Sequence, residues 1–234
     1  MGASTITGLF DPRTSVILCG SSHSLLNWVT YALVVGHPGG FLWGHVRLEG
    51  EVLEDTDLLK TQLIPKDKFI SVAPGELSRD EFGGNVALGG LVRSEKEEES
   101  VRRFADFLRL PGQTQKLISE LPRDGPSPVL VLSGAQRLSA LYSGESVGPT
   151  IRSVVEFGGS MMVPWAEAPT AGRLEFERIL HLKGESASRW REAELTVERG
   201  WPKGPLRTGA KFRLHDLTPV LSVLERYLPR SAGA

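Results

Sequence analysis

The feature that most constrains the fold of this chain is a pair of short apolar runs that have no polar face. Residues 16–20 read VILCG and residues 129–132 read VLVL. Strands that are buried on both faces have this pattern, and they belong in the middle of a parallel sheet covered by helices. The two runs therefore predict an α/β fold with a mostly parallel central sheet flanked by helices.

Helix and strand signals alternate around these runs. Ser22 or Ser24 can cap a helix whose residues 25–33 are almost all apolar, so this helix is expected to be buried on more than one side. Further strands are predicted at 41–46, 69–72 and 160–165, amphipathic helices at 95–109 and 150–157, and connecting segments at 83–91 and 122–128. The path of residues 73–93 stays open.

The pattern changes toward the C-terminus. Residues 178–182, 194–198 and 211–214 alternate polar with apolar side chains, as antiparallel strands with one face in water do. A last helix is predicted at 217–228. The sequence has no internal repeat and no linker long enough to separate domains, so residues 1–234 are predicted to form a single domain.

Composition excludes several classes of function. The net charge of −1 gives no overall attraction to nucleic acid or to an anionic membrane, and no apolar stretch has the length of a bilayer span. With one cysteine, Cys19, the chain can form no intramolecular disulfide and no cysteine-based zinc site. Five histidines lack the spacing of metal ligands; they are His23, His37, His45, His181 and His215. We expect a cytoplasmic protein without a metal, with Cys19 as an inert core residue.

A parallel core that opens with strand, glycine turn and helix, and closes with antiparallel strands, resembles the RecA-like ATPases and especially their KaiC-like branch. Their phosphate-binding loop, GxxxxGK[ST], supplies backbone N–H groups, a lysine and a magnesium-binding hydroxyl. The corresponding residues here are Gly20, Ser21, Ser22, His23, Ser24, Leu25, Leu26 and Asn27. Because Leu25, Leu26 and Asn27 replace Gly, Lys and Ser/Thr, this degenerate loop has lost both the charge and the hydroxyl.

Two more departures affect the metal and the attacking water. Ser133 stands where the resemblance implies the magnesium-anchoring aspartate of the Walker B strand. Val46 and Arg47 stand where KaiC-like proteins have an acidic pair, unless a shifted register brings in Glu49 or Glu51. The resemblance therefore implies a RecA-like three-layer pseudo-ATPase with no catalytic residue and no nucleotide cofactor. An ordinary strand-to-helix turn in an unrelated α/β domain is the alternative, and it also predicts no ATPase activity.

These observations lead to a function hypothesis. We expect a non-catalytic scaffold or regulatory protein that associates with copies of itself or with a related RecA-like subunit in an oligomer. The RecA-like subunits of Elongator, which also lack the usual nucleotide motifs and assemble into a ring, provide an analogy. A different small anion bound at the Gly20–Asn27 turn is an alternative, although a polar turn that only caps the helix explains the same residues. A hydrolase built on Ser133 or Ser160 would need a GxSxG motif that the sequence lacks.

A basic segment near the C-terminus leaves three interpretations open. Between residues 199 and 213 there is no acidic residue, and the candidate contact residues are Arg199, Trp201, Lys203, Arg207, Lys211 and Arg213. They form a solvated edge that discourages aggregation, a subunit interface, or a nucleic-acid surface. The third would fit an accessory protein of a recombination, repair or RNA-modification complex.

Overall fold

The computed structural model describes residues 8–10, 14–46, 63–65, 69–72, 129–134, 160–166, 176–202 and 206–228. The helices predicted at 95–109 and 150–157 lie outside the described residues. So do the connecting segments at 83–91 and 122–128, and all of the 73–93 segment.

One sheet organises the described part of the chain. Its strands are β1 (Ser15–Gly20), β2 (Phe41–Val46), β3 (Phe69–Val72), β4 (Val129–Ser133), β5 (Ser160–Ala166), β6 (Arg178–Lys183), β7 (Glu194–Arg199) and β8 (Lys211–Arg213). They lie in the order β3-β2-β4-β5-β1-β6-β7-β8. All pairings from β3 across to β6 are parallel, whereas β7 runs antiparallel to β6 and β8 antiparallel to β7. The predicted α/β fold with a mostly parallel sheet is confirmed.

The central strands are buried on both faces, as their apolar runs predict. In β1, Val16 and Leu18 point to one face while Ile17 and Cys19 point to the other, and all four are buried. Every residue of β4 is also buried. An alternating pattern would have exposed one face, so the uninterrupted apolar run is what places these strands inside the sheet.

The first helix, α1 (His23–Val34), begins where the sequence predicts it. The Oγ of Ser22 caps it by accepting a hydrogen bond from the backbone N–H of Leu25, at 3.4 Å. Residues 25–34 are all buried because α1 packs on β1 and β5 and is covered by the last helix, α2 (Thr218–Tyr227). Trp28 of α1 stacks on Tyr227 of α2, with ring centroids 6.3 Å apart.

The prediction that residues 178–182 form a purely antiparallel strand is wrong in part. β6 pairs in parallel with β1, with Ile17 opposite Ile179, and only its other edge pairs antiparallel with β7. The sheet changes from parallel to antiparallel pairing at β6, so this strand has one parallel and one antiparallel neighbour. Leu214 also departs from the prediction: β8 ends at Arg213, and Leu214 is a fully buried residue of a short 3₁₀ helix, Leu214–Asp216. The other 3₁₀ helices among the described residues are Gly8–Phe10 and Ala187–Glu192.

Candidate functional site

The candidate site lies where β1, β2 and β4 end. These strands run in the same direction, so Gly20, Val46 and Ser133 mark one edge of the sheet. Open α/β sheets bind their ligands at this carboxyl edge. The residues that a nucleotide would need are therefore expected at the turn after β1 and at the ends of β2 and β4.

The turn after β1 is shorter than the Gly20–Asn27 segment that the resemblance to a phosphate-binding loop suggests. Only Ser21 and Ser22 separate the last residue of β1 from His23, the first residue of α1. The cap at Ser22 starts the helix at once, so Leu25, Leu26 and Asn27 belong to α1 and not to a loop. This agrees with the helix predicted over residues 25–33 and confines the turn itself to Ser21 and Ser22.

Leu25 and Leu26 pack against the sheet and its neighbouring turn. Both side chains are 0% exposed. A Cβ added to Gly184, just after β6, would lie 2.6 Å from Cδ2 of Leu25, so Leu25 fills the space that the missing side chain leaves. Cδ2 of Leu26 lies 3.2 Å from the corresponding Cβ position on Gly20. At Leu26, where the resemblance implies a phosphate-binding lysine, the protein therefore has a close-packed apolar contact.

Gly20 is required by the packing of two strands. A Cβ at this position would lie 2.8 Å from the carbonyl oxygen of Leu182, the residue opposite Gly20 in β6. Real Cβ atoms do not approach a backbone oxygen so closely, so only glycine fits between β1 and β6. The glycine that begins the resemblance to a phosphate loop thus has a structural role that involves no ligand.

The end of β4 is occupied by a buried cluster of polar side chains, Trp43, His45 and Ser133. Nε1 of Trp43 donates a hydrogen bond to Oγ of Ser133 at 3.2 Å. Nδ1 of His45 lies 2.7 Å from the same Oγ, and the carbonyl oxygen of Gly44 lies 3.4 Å from it. Ser133 is 0% and His45 is 3% exposed. The hydroxyl of Ser133, where the resemblance implies a magnesium-anchoring aspartate, is thus engaged in hydrogen bonds inside the protein.

This cluster joins β2 to β4. His45 and Ser133 are opposite each other in the parallel pairing of the two strands, and Trp43 lies on the same face of β2 as His45. Ser133 Oγ can accept the indole N–H and donate its proton to His45 Nδ1 or to the Gly44 carbonyl. A serine hydroxyl beside an imidazole is also the geometry of a nucleophile and its base, but solvent does not reach either group here.

Of Val46 and Arg47, which stand where the resemblance implies an acidic pair, the structure describes Val46, the last residue of β2. Arg47, Glu49 and Glu51 lie outside the described residues.

Part of the basic segment is engaged within the fold. Nη1 of Arg199 donates a hydrogen bond to the carbonyl oxygen of Phe176 at 2.9 Å. Trp201 is half-buried against the core, and the guanidinium of Arg178 lies 4.8 Å from the centre of its ring. Arg207 is exposed, and Lys203 lies outside the described residues.

The rest of the segment shares its surface with acidic side chains of β7. Arg213 lies opposite Glu194, and Nζ of Lys211 is 4.0 Å from a carboxylate oxygen of the same glutamate. Glu198, further along β7, pairs with His181 of β6. The segment between residues 199 and 213 contains no acidic residue, but glutamates from elsewhere in the chain lie beside it. Positive and negative charges are therefore mixed on this surface.

Among the described residues, no three histidine, cysteine or carboxylate side chains are placed to hold a metal ion.

Nδ1 of His37 accepts a hydrogen bond from the backbone N–H of Gly39, and burial lowers the pKa of this imidazole, which favours its neutral form. Cys19 is buried and is not part of a disulfide. None of the described helices combines the length and the apolar character needed to cross a bilayer.

Two comparisons with known proteins found no match. No protein-family model matches the chain. No curated protein is significantly similar to it. Function is therefore proposed from the geometry of the site itself.

Proposed function

We propose that this chain is a RecA-like scaffold without nucleotide chemistry, which acts by associating with copies of itself or with a related RecA-like subunit. The observation that carries the proposal is the packing of Leu26. The residue at the position of the phosphate-binding lysine is fully buried against Gly20 at the end of β1.

Electrostatics explain why this packing matters. A triphosphate carries several negative charges, which a lysine and a magnesium ion neutralise in active relatives of this fold. The N-terminus of a helix alone offers about 0.3–1 kcal/mol to an anion at an exposed site. Leu25, Leu26 and the hydrogen-bonded Ser133 supply no charge. The helix N-terminus alone would therefore have to stabilise the triphosphate, which is too little to hold a nucleotide.

The sheet supports the RecA-like part of the proposal. Its parallel strands followed by antiparallel β7 and β8 have the arrangement that the resemblance implies. The central strands are buried on both faces, which a three-layer fold would require; α1 packs on β1 and β5, and α2 packs on α1.

The surface of β7 and β8 is the part of the described chain that we assign to association. Lys211 and Arg213 are exposed on the last strand in the sheet order, beside Glu194, and Phe212 between them is half-buried. A mixture of both charges suits another protein surface, since a polyanion such as nucleic acid would be repelled by the glutamates. This observation favours a protein partner over the nucleic-acid interpretation.

Light scattering over a concentration series tests the association. The account predicts a molar mass that rises with concentration and falls in the variant with both Lys211→Glu and Arg213→Glu. Arg226→Glu, an exposed change of the same sign on α2 with half the change in net charge, is the control and should leave the mass unchanged. A monomer at every concentration would contradict self-association, and a mass that both variants lower equally would contradict the assigned surface.

A further inference from the structure

We draw no further inference here: the strongest candidate, the buried Trp43–His45–Ser133 cluster at the carboxyl ends of β2 and β4, places a serine hydroxyl against an imidazole, but it belongs to the site already described, and nothing in the described part of the chain shows a ligand or a route by which one would reach it.

Discussion

The ends of β1 and β4 both lack the charges that nucleotide chemistry uses, but the residues found there are of opposite kinds. Beyond β1, Leu25 and Leu26 fill the space with apolar side chains packed on Gly184 and Gly20. At the end of β4, Ser133 is held by hydrogen bonds from a buried cluster that includes Trp43.

The difference shows that the space at the end of a strand can be filled by close packing of apolar side chains or by hydrogen bonds among polar ones. An apolar contact has no preferred partner atom, so it is disturbed by charge or by changes in volume. A hydrogen-bonded cluster depends on each donor finding its acceptor, so it is disturbed when a single oxygen is removed. Substitutions at the two places should therefore cost stability for different reasons and by different amounts.

The largest effect is expected from restoring the lysine with Leu26→Lys. The side chain at this position is 0% exposed, and the described residues that pack against it are apolar, so an ammonium group there would be a buried charge without a counterion. Such a charge costs about 3–5 kcal/mol of unfolding free energy. Urea denaturation measures the loss. Leu26→Met, which keeps the volume, is the control and should cost less than about 1.5 kcal/mol. A Leu26→Lys protein as stable as the parent would show that this position faces an open site.

The contact between Leu25 and Gly184 can be tested by a double-mutant cycle. Gly184→Ala places a methyl group 2.6 Å from Leu25 and 2.8 Å from Ala193, and overpacking of this kind costs about 1–3 kcal/mol. The cost should shrink when Leu25→Ala, itself destabilising by about 2–5 kcal/mol, removes one of the two obstacles. Gly36→Ala is the matched control, since nothing lies within 4 Å of the added Cβ. Equal costs of Gly184→Ala in both backgrounds would argue against the contact.

A smaller effect than those of Leu26→Lys and Leu25→Ala is expected at the hydrogen-bonded end of β4, from Ser133→Ala. This change removes the acceptor of the Trp43 N–H and the partner of His45 Nδ1 inside the protein, which costs about 1–3 kcal/mol. Ser188→Ala removes an exposed hydroxyl that bonds only its neighbour Ser186 among the described contacts, and it should stay within about 0.5 kcal/mol of the parent. If both alanine variants were equally stable, the cluster would contribute nothing to the junction of β2 and β4.

Much of the fold could be predicted from local patterns. Apolar runs identify the buried strands β1 and β4, and Ser22 marks the start of α1. The direction of β6 could not be predicted in this way. Its alternating pattern indicates that one face is exposed to solvent. The direction of pairing at each edge depends on the neighbouring strands β1 and β7, which the pattern of β6 alone does not identify.

For the candidate site, the sequence alone could predict which charged residues are missing, but not which residues contact one another. That Leu26 and Ser133 stand where the resemblance implies a lysine and an aspartate can be seen in the sequence alone. The partners of Ser133 could not be, because His45 and Trp43 precede it by 88 and 90 residues and meet it only through the register of β2 with β4. The neutralising role of Glu194 was missed for the same reason, since it lies outside the basic segment and reaches Lys211 across the sheet.

The central claim is that no nucleotide is held at the end of β1, and thermal unfolding with and without ATP and magnesium tests it most directly. A ligand present at 100 times its Kd stabilises the folded state by about 2.7 kcal/mol. For a chain of this size, each kcal/mol raises Tm by roughly 2–4 °C. The account predicts the same Tm with magnesium alone and with magnesium and ATP, at every ATP concentration. A Tm that rises with ATP concentration would contradict it.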